Sequence, residues 1–84
     1  MHRTTPRFWN LFEKIPPSIQ AVARKNFELL KQNPSHPSLH FKKIGDLWSA
    51  RAGLNYRAIS VQDADEFIWF WIGSHTDYER LLKR

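Results

Sequence analysis

Two arginines sit at short spacing in apolar surroundings, Arg51 in Trp48-Ser49-Ala50-Arg51-Ala52-Gly53 and Arg57 in Asn55-Tyr56-Arg57-Ala58-Ile59. If both segments are strands, the two-residue period of side chains aims each guanidinium out of a sheet face. Neighbouring strands would then offer two forks of donors matched to phosphate oxygens. The same pattern also fits arginines paired with Asp or Glu, or set on a solvated face. Further on, His75 and Tyr78 lie in Ile72-Gly73-Ser74-His75-Thr76-Asp77-Tyr78, where an apolar run gives way to polar residues. Histidine exchanges a proton near neutral pH, and a tyrosine can hydrogen-bond, stack on a base or carry a proton. Equally, His75 suits a cap or loop, and Tyr78 suits half-buried packing.

Lys42-Lys43 follows His40 and Phe41 and serves either as a phosphate contact or as part of a solvated turn. His36 and His40 are four apart, but Pro37 stands between them and denies them one helical face, so no metal site is expected. The chain carries no glycine-rich phosphate loop, nucleophile elbow or zinc-binding helix signature, and no small-molecule cofactor is expected.

The elements that must position these residues can be read from spacing. Thr5-Pro6 opens a short helix over about Pro6 to Lys14, with Phe8, Leu11, Phe12 and Ile15 on one face. Pro16-Pro17 ends it, and a second amphipathic helix runs from Ser18 to Asn33-Pro34 with Ile19, Val22, Ala23, Phe27 and Leu30 as its stripe. Two helices so closely joined predict an antiparallel hairpin that needs a partner surface. After an irregular stretch from Pro34 to Leu39, Leu47 to Ala52 and Tyr56 to Val61 read as a strand pair turning at Gly53-Leu54-Asn55. Glu66 to Ile72 reads as a strand buried on both faces, and Met1 to Thr5 shows no strand pattern. Thr76 and Glu79 match a capping box for a terminal helix carrying Leu81 and Leu82. The expectation is an α+β domain over residues 1–84: an N-terminal helical hairpin on a three-stranded antiparallel sheet, with a short C-terminal helix.

Composition sets the frame. A chain of 84 residues encloses one core, and four Trp, two Tyr and six Phe supply large buried areas for it. No cysteine is present, so neither disulfides nor thiolate metal sites arise and a cytoplasmic location is the default. No window is long and apolar enough for a membrane span, and no membrane partner is expected. Thirteen Lys and Arg against eight acids give a formal charge of +5. Such a surplus favours a polyanionic partner, although charge also serves solubility alone.

In order and spacing, the helical hairpin, the Asn33-Pro34 exit with Leu39-His40-Phe41-Lys42-Lys43, the Arg51 strand, the Tyr56-Arg57 pair and the ending Trp69 to His75 with Tyr78 resemble the RelE/ParE superfamily of bacterial and archaeal toxins. The resemblance implies the toxin component of a type II toxin-antitoxin system, silenced by a cognate antitoxin protein. In the RelE-like branch it implies an mRNA interferase: an endoribonuclease that cuts mRNA on the ribosome and so inhibits translation, with the substrate's 2′-hydroxyl as nucleophile. Carried onto this chain, Arg57 stabilises the phosphate, and Lys42, Lys43 and Arg51 hold the RNA backbone. His75 is the leading acid or base, and Tyr78 stacks on a base or shares the proton transfer. Some RelE-like enzymes have arginine where this chain has histidine in its C-terminal part, and the strand that often opens family members is expected to be shortened or absent. The ParE branch shares the fold and inhibits DNA gyrase instead, and a non-catalytic relative binding RNA or protein is the third alternative.

Overall fold

The computed structural model describes residues 1–83. Its first strand, β1 (His2–Thr4), leads into helix α1 (Pro6–Phe12), helix α2 (Pro17–Gln32) and a 3-10 turn at Pro37–Leu39. Four strands follow, β2 (Lys42–Ile44), β3 (Leu47–Gly53), β4 (Tyr56–Asp63) and β5 (Glu66–Ser74), and helix α3 (His75–Leu82) closes the chain.

Local chemistry accounts for the helix boundaries. The Phe8 amide donates to the Thr5 hydroxyl at 3.1 Å, and Pro6 occupies the first turn, where its missing N–H costs nothing. At the other end of the helical region, Asn33 donates its amide to the Leu29 carbonyl, and Pro34 cannot continue the helix. The terminal helix starts earlier than the capping-box pattern implies. Ser74, not Thr76, is its cap, accepting from the Asp77 amide at 3.1 Å, because β5 runs straight into the helix without an intervening loop.

The sheet is larger than expected and mixed. Its order is β1-β5-β4-β3-β2, with β1 parallel to β5 and every other pair antiparallel. The two additional strands are three residues each, too short to show a period of two, and they lie at the sheet edges. Long-range bonds hold β1 in place: the Phe67 amide donates to Met1, Thr5 donates to the Trp69 carbonyl, and Arg3 meets Glu66 at 3.2 Å.

The expected helical hairpin is also replaced by a different packing. Helix α1 lies over β5 and α2 over β3, so each spends its apolar stripe on the sheet. Phe8, Phe12, Ala23 and Leu30 share one buried cluster with Ala50, Ala52, Ala58, Trp69 and Ile72. On the opposite face, α3 crosses the sheet and closes a smaller cluster of Ile59, Trp71 and Tyr78. Thus the helices cover both faces, α1 and α2 one and α3 part of the other. A bulge makes this possible: Ile59 pairs with Trp71 and Ser60 with Trp69, leaving Phe70 as the extra residue. Trp69 therefore faces α1 and α2 while Trp71, two residues on, faces α3. Among the described residues no helix is long and apolar enough to cross a membrane.

Strand β1 carries an acid-sensitive contact. The Trp69 indole N–H donates at 3.0 Å to Nδ1 of His2, an atom that must be unprotonated to accept. The imidazole stacks on Phe67 at 5.3 Å between ring centroids, with Phe27 and Phe41 at its edges. Burial, then the N-terminal ammonium, then Lys31 hold its pKa below the ordinary value. A histidine whose pKa falls on folding contributes stability that is complete above its unfolded value of about 6.5 and is lost as pH drops toward its folded value. The thermal midpoint is therefore expected to fall between pH 7 and pH 5 more steeply for the natural chain than for His2→Phe, which retains His36, His40 and His75. Equal slopes would remove His2 from this role.

Candidate nucleic-acid interface

Strand register brings the two arginines face to face. Arg51 of β3 pairs directly with Arg57 of β4, and Arg57 pairs with Gly73 of β5. Ser49, two residues from Arg51, bonds to Tyr78 of α3, which sets this row on the α3 side of the sheet. Lys42 is opposite Ser49 and belongs to the same face. Lys43 is opposite Trp48, so strand alternation sends it to the other face, and only one of the two expected lysines joins the row.

Like charges opposite one another in a sheet repel unless something stands between them. Among the described residues, neither Arg51 nor Arg57 has a carboxylate partner. Arg57 donates instead to the Tyr56 carbonyl at 2.9 Å and to the Gly53 carbonyl at 3.5 Å, which fixes it above the β3–β4 turn. Burial first, and the Arg51 charge second, hold the Arg57 pKa below its usual value. The buried Nε of Arg51 has no hydrogen-bond partner among the described residues. Two cations share a partly desolvated patch with no counter-ion among the described residues, an arrangement that an anion would relieve.

His75 stands at the edge of this patch as the first residue of α3. Its amide donates to the Asn55 carbonyl at 2.7 Å, tying the start of the helix to the turn between the arginine strands. The imidazole is 44% exposed, with Nε2 3.6 Å from Glu79 Oε2. Its ring stacks on Tyr78 with centroids 5.8 Å apart. Tyr78 itself is only 7% exposed and donates its hydroxyl to Ser49 at 2.8 Å. Its ring is packed against the sheet and beside His75, not open to stack on a base. Tyr78 also acts on the Arg57 charge, raising its pKa against the two larger effects. Tyr78 thus stacks on the imidazole and acts on the guanidinium through its field.

Three residues in this arrangement lay outside the sequence reading of the site. Ser49 anchors Tyr78, Asn55 anchors the start of α3, and Gly73 lets Trp71 lie down beside the row. A Cβ on Gly73 would stand 2.7 Å from the Trp71 ring, closer than real contacts allow. A glycine inside an otherwise apolar strand is the available signal for such a close approach. Gly73→Ala is expected to cost about 1–3 kcal/mol through overpacking. Chemical denaturation measures this, and an unchanged midpoint would show that Trp71 moves aside freely. Among the described residues, no group of three His, Cys, Asp or Glu side chains converges to hold a metal.

The RelB-RelE antitoxin-toxin complex from Methanococcus jannaschii matches with a TM-score of 0.74 at 17% identity, covering 94% of this chain and 96% of that one. The chain has the fold of the RelE toxins. A RelE-like fold is also found in the toxin-antitoxin complex RelBE2 from Mycobacterium tuberculosis, with a TM-score of 0.65, 22% identity and coverage of 88% and 95%. The isolated E. coli RelE toxin matches over 100% of this chain and 96% of its own, with a TM-score of 0.63 and 12% identity. No family model and no curated protein sequence matches the chain. At these identities the likeness is one of fold.

Proposed function

We propose that the protein is the toxin of a type II toxin-antitoxin pair and acts as an endoribonuclease on ribosome-bound message. The observation that carries this reading is the register-paired Arg51 and Arg57, without an acidic partner among the described residues, with a half-exposed His75 tied by its amide to the turn between their strands. A scissile phosphate bridging the two guanidiniums would replace their repulsion with charge-assisted hydrogen bonds. The 2′-hydroxyl of the message gives up its proton and its oxygen attacks the adjacent phosphorus. The bond to the 5′-oxygen breaks, and that oxygen takes up a proton, leaving a 2′,3′-cyclic phosphate and a 5′-hydroxyl end. His75 is the proton-transfer group, Arg57 stabilises the extra charge on phosphorus, and Arg51 with Lys42 holds the backbone. Lys43, on the opposite face, would reach RNA only along the sheet edge.

In this reading Tyr78 acts through its neighbours, keeping His75 and α3 in place. Tyr78→Phe keeps the ring against His75 but leaves the buried Ser49 hydroxyl without its donor, at an expected cost of about 1–3 kcal/mol. Cleavage by this variant is expected to stay within a factor of a few of the natural chain at a temperature where both are folded. A loss as large as that of His75→Ala would instead make the tyrosine hydroxyl a participant in proton transfer.

The structures named above for Methanococcus jannaschii and Mycobacterium tuberculosis are toxin-antitoxin complexes, which supports a cognate antitoxin as the silencing partner. The test is a reconstituted translation mixture. Adding the protein is expected to yield new ends in ribosome-bound message, with little cutting of the same message free in solution, and His75→Ala is expected to slow it strongly. Inhibited supercoiling by DNA gyrase with intact message would overturn the nuclease reading.

A further inference from the structure

Between α1, α2 and the sheet lies a cavity of about 190 Å³ on the side away from the arginine row. Its origin is visible in the sequence: the strands present Ala50, Ala52 and Ala58 to helices that bring Phe8, Phe12 and Leu30. Three methyl groups where larger side chains would fit leave space that the helices do not fill. Two polar side chains of the wall, Trp9 and Asn26, already have hydrogen-bond partners. The Trp9 indole N–H donates to Thr4 at 2.9 Å, and the Asn26 amide donates to the Arg51 carbonyl at 3.4 Å. Most of the remaining wall is apolar, so water entering the cavity would find few partners, whereas an apolar cavity of about 150 Å³ is large enough to take up benzene.

The mouth selects among apolar molecules. Arg24 lies across it, its guanidinium 4.9 Å from the Phe12 ring centre and 5.5 Å from that of Trp9. With Phe8 and Trp69 also in the wall, a guest ring meets aromatic edges and faces on several sides and a cation at the opening. A saturated ring of equal size would gain only its transfer from water. We propose that this cavity is a binding site for a small, uncharged, single-ring aromatic molecule.

The experiment uses the full chain with toluene as probe and cyclohexane as the saturated control. Toluene is expected to shift the methyl resonances of Ala50 and Ala58 through its ring current and to raise the thermal midpoint progressively with concentration. Ala58→Leu, which fills the space, is expected to abolish both responses. If that variant does not fold, Ala50→Val is the second filling change and is expected to weaken both. Arg24→Gln, at an exposed position, is expected to fold normally and to reduce the preference for toluene over cyclohexane several-fold. No response to toluene at its solubility limit, or an undiminished response in a folded filling variant, would overturn the site. Equal binding of cyclohexane would overturn the aromatic preference. None of these outcomes depends on ribonuclease activity.

Discussion

Arg57→Ala is expected to slow cleavage of ribosome-bound message about 100- to 1000-fold, the usual loss when one preorganised donor to a developing negative charge is removed. The expectation follows from how Arg57 is held. Its guanidinium donates to the Tyr56 and Gly53 carbonyls, and Arg51 stands directly opposite across the strand pair. The group is thereby aimed before substrate arrives, and among the described residues no carboxylate must be displaced from it. Its removal should leave the fold intact, because among the described residues no carboxylate loses a partner and the repulsion from Arg51 disappears. Arg57→Lys keeps a charge but not the planar fork, so an intermediate rate is expected. Initial rates on ribosome-bound message, read beside far-ultraviolet circular dichroism of each variant, measure the effect. A folded Arg57→Ala with an unchanged rate would remove the phosphate role.

The largest effect on stability is expected at Trp69. It is 2% exposed and joins three parts of the fold: its ring fills the main core, its indole N–H holds His2 of β1, and its carbonyl accepts the Thr5 amide at the start of α1. Trp69→Ala is expected to cost about 3–5 kcal/mol through lost burial and the void left behind. An 84-residue chain has a total stability on the order of 4–13 kcal/mol, so this single change leaves little or nothing. Trp69→Phe keeps most of the apolar body but removes the donor to His2, and a smaller loss is expected, with its acid sensitivity reduced. Urea denaturation of the three proteins at pH 7 measures the series. A Trp69→Ala midpoint close to that of the natural chain would mean that the helices collapse onto the vacated space.

How much of this was legible depends on the length of each element. The long amphipathic stripe ending at Leu30 and the Thr5-Pro6 opening revealed both N-terminal helices, because periodicity and capping are local properties. The β3–β4 pair was equally visible, with Leu54 and Asn55 at its turn. Strands β1 and β2 were not visible, since His2-Arg3-Thr4 and Lys42-Lys43-Ile44 are too short for a pattern and owe their conformation to partners distant in sequence. The apolar run of β5 hid its own bulge, because six consecutive large residues show no alternation to interrupt. In the site, the two arginines were recognised as a pair that neighbouring strands would present, and the observed register sets them opposite one another. The splitting of Lys42 from Lys43 follows from that same register and could not precede it. The burial of Tyr78 depends on Ser49, 29 residues away, which no local pattern connects to it.

The central claim is that this chain cuts message by a 2′-hydroxyl attack organised around Arg57 and His75. Its most direct test is to map message ends by primer extension after brief expression, beside cells expressing Arg57→Ala. The account predicts new 5′ ends inside translated reading frames with the natural chain, and their loss with the variant. Arrested growth with message that remains whole throughout its reading frames would contradict it.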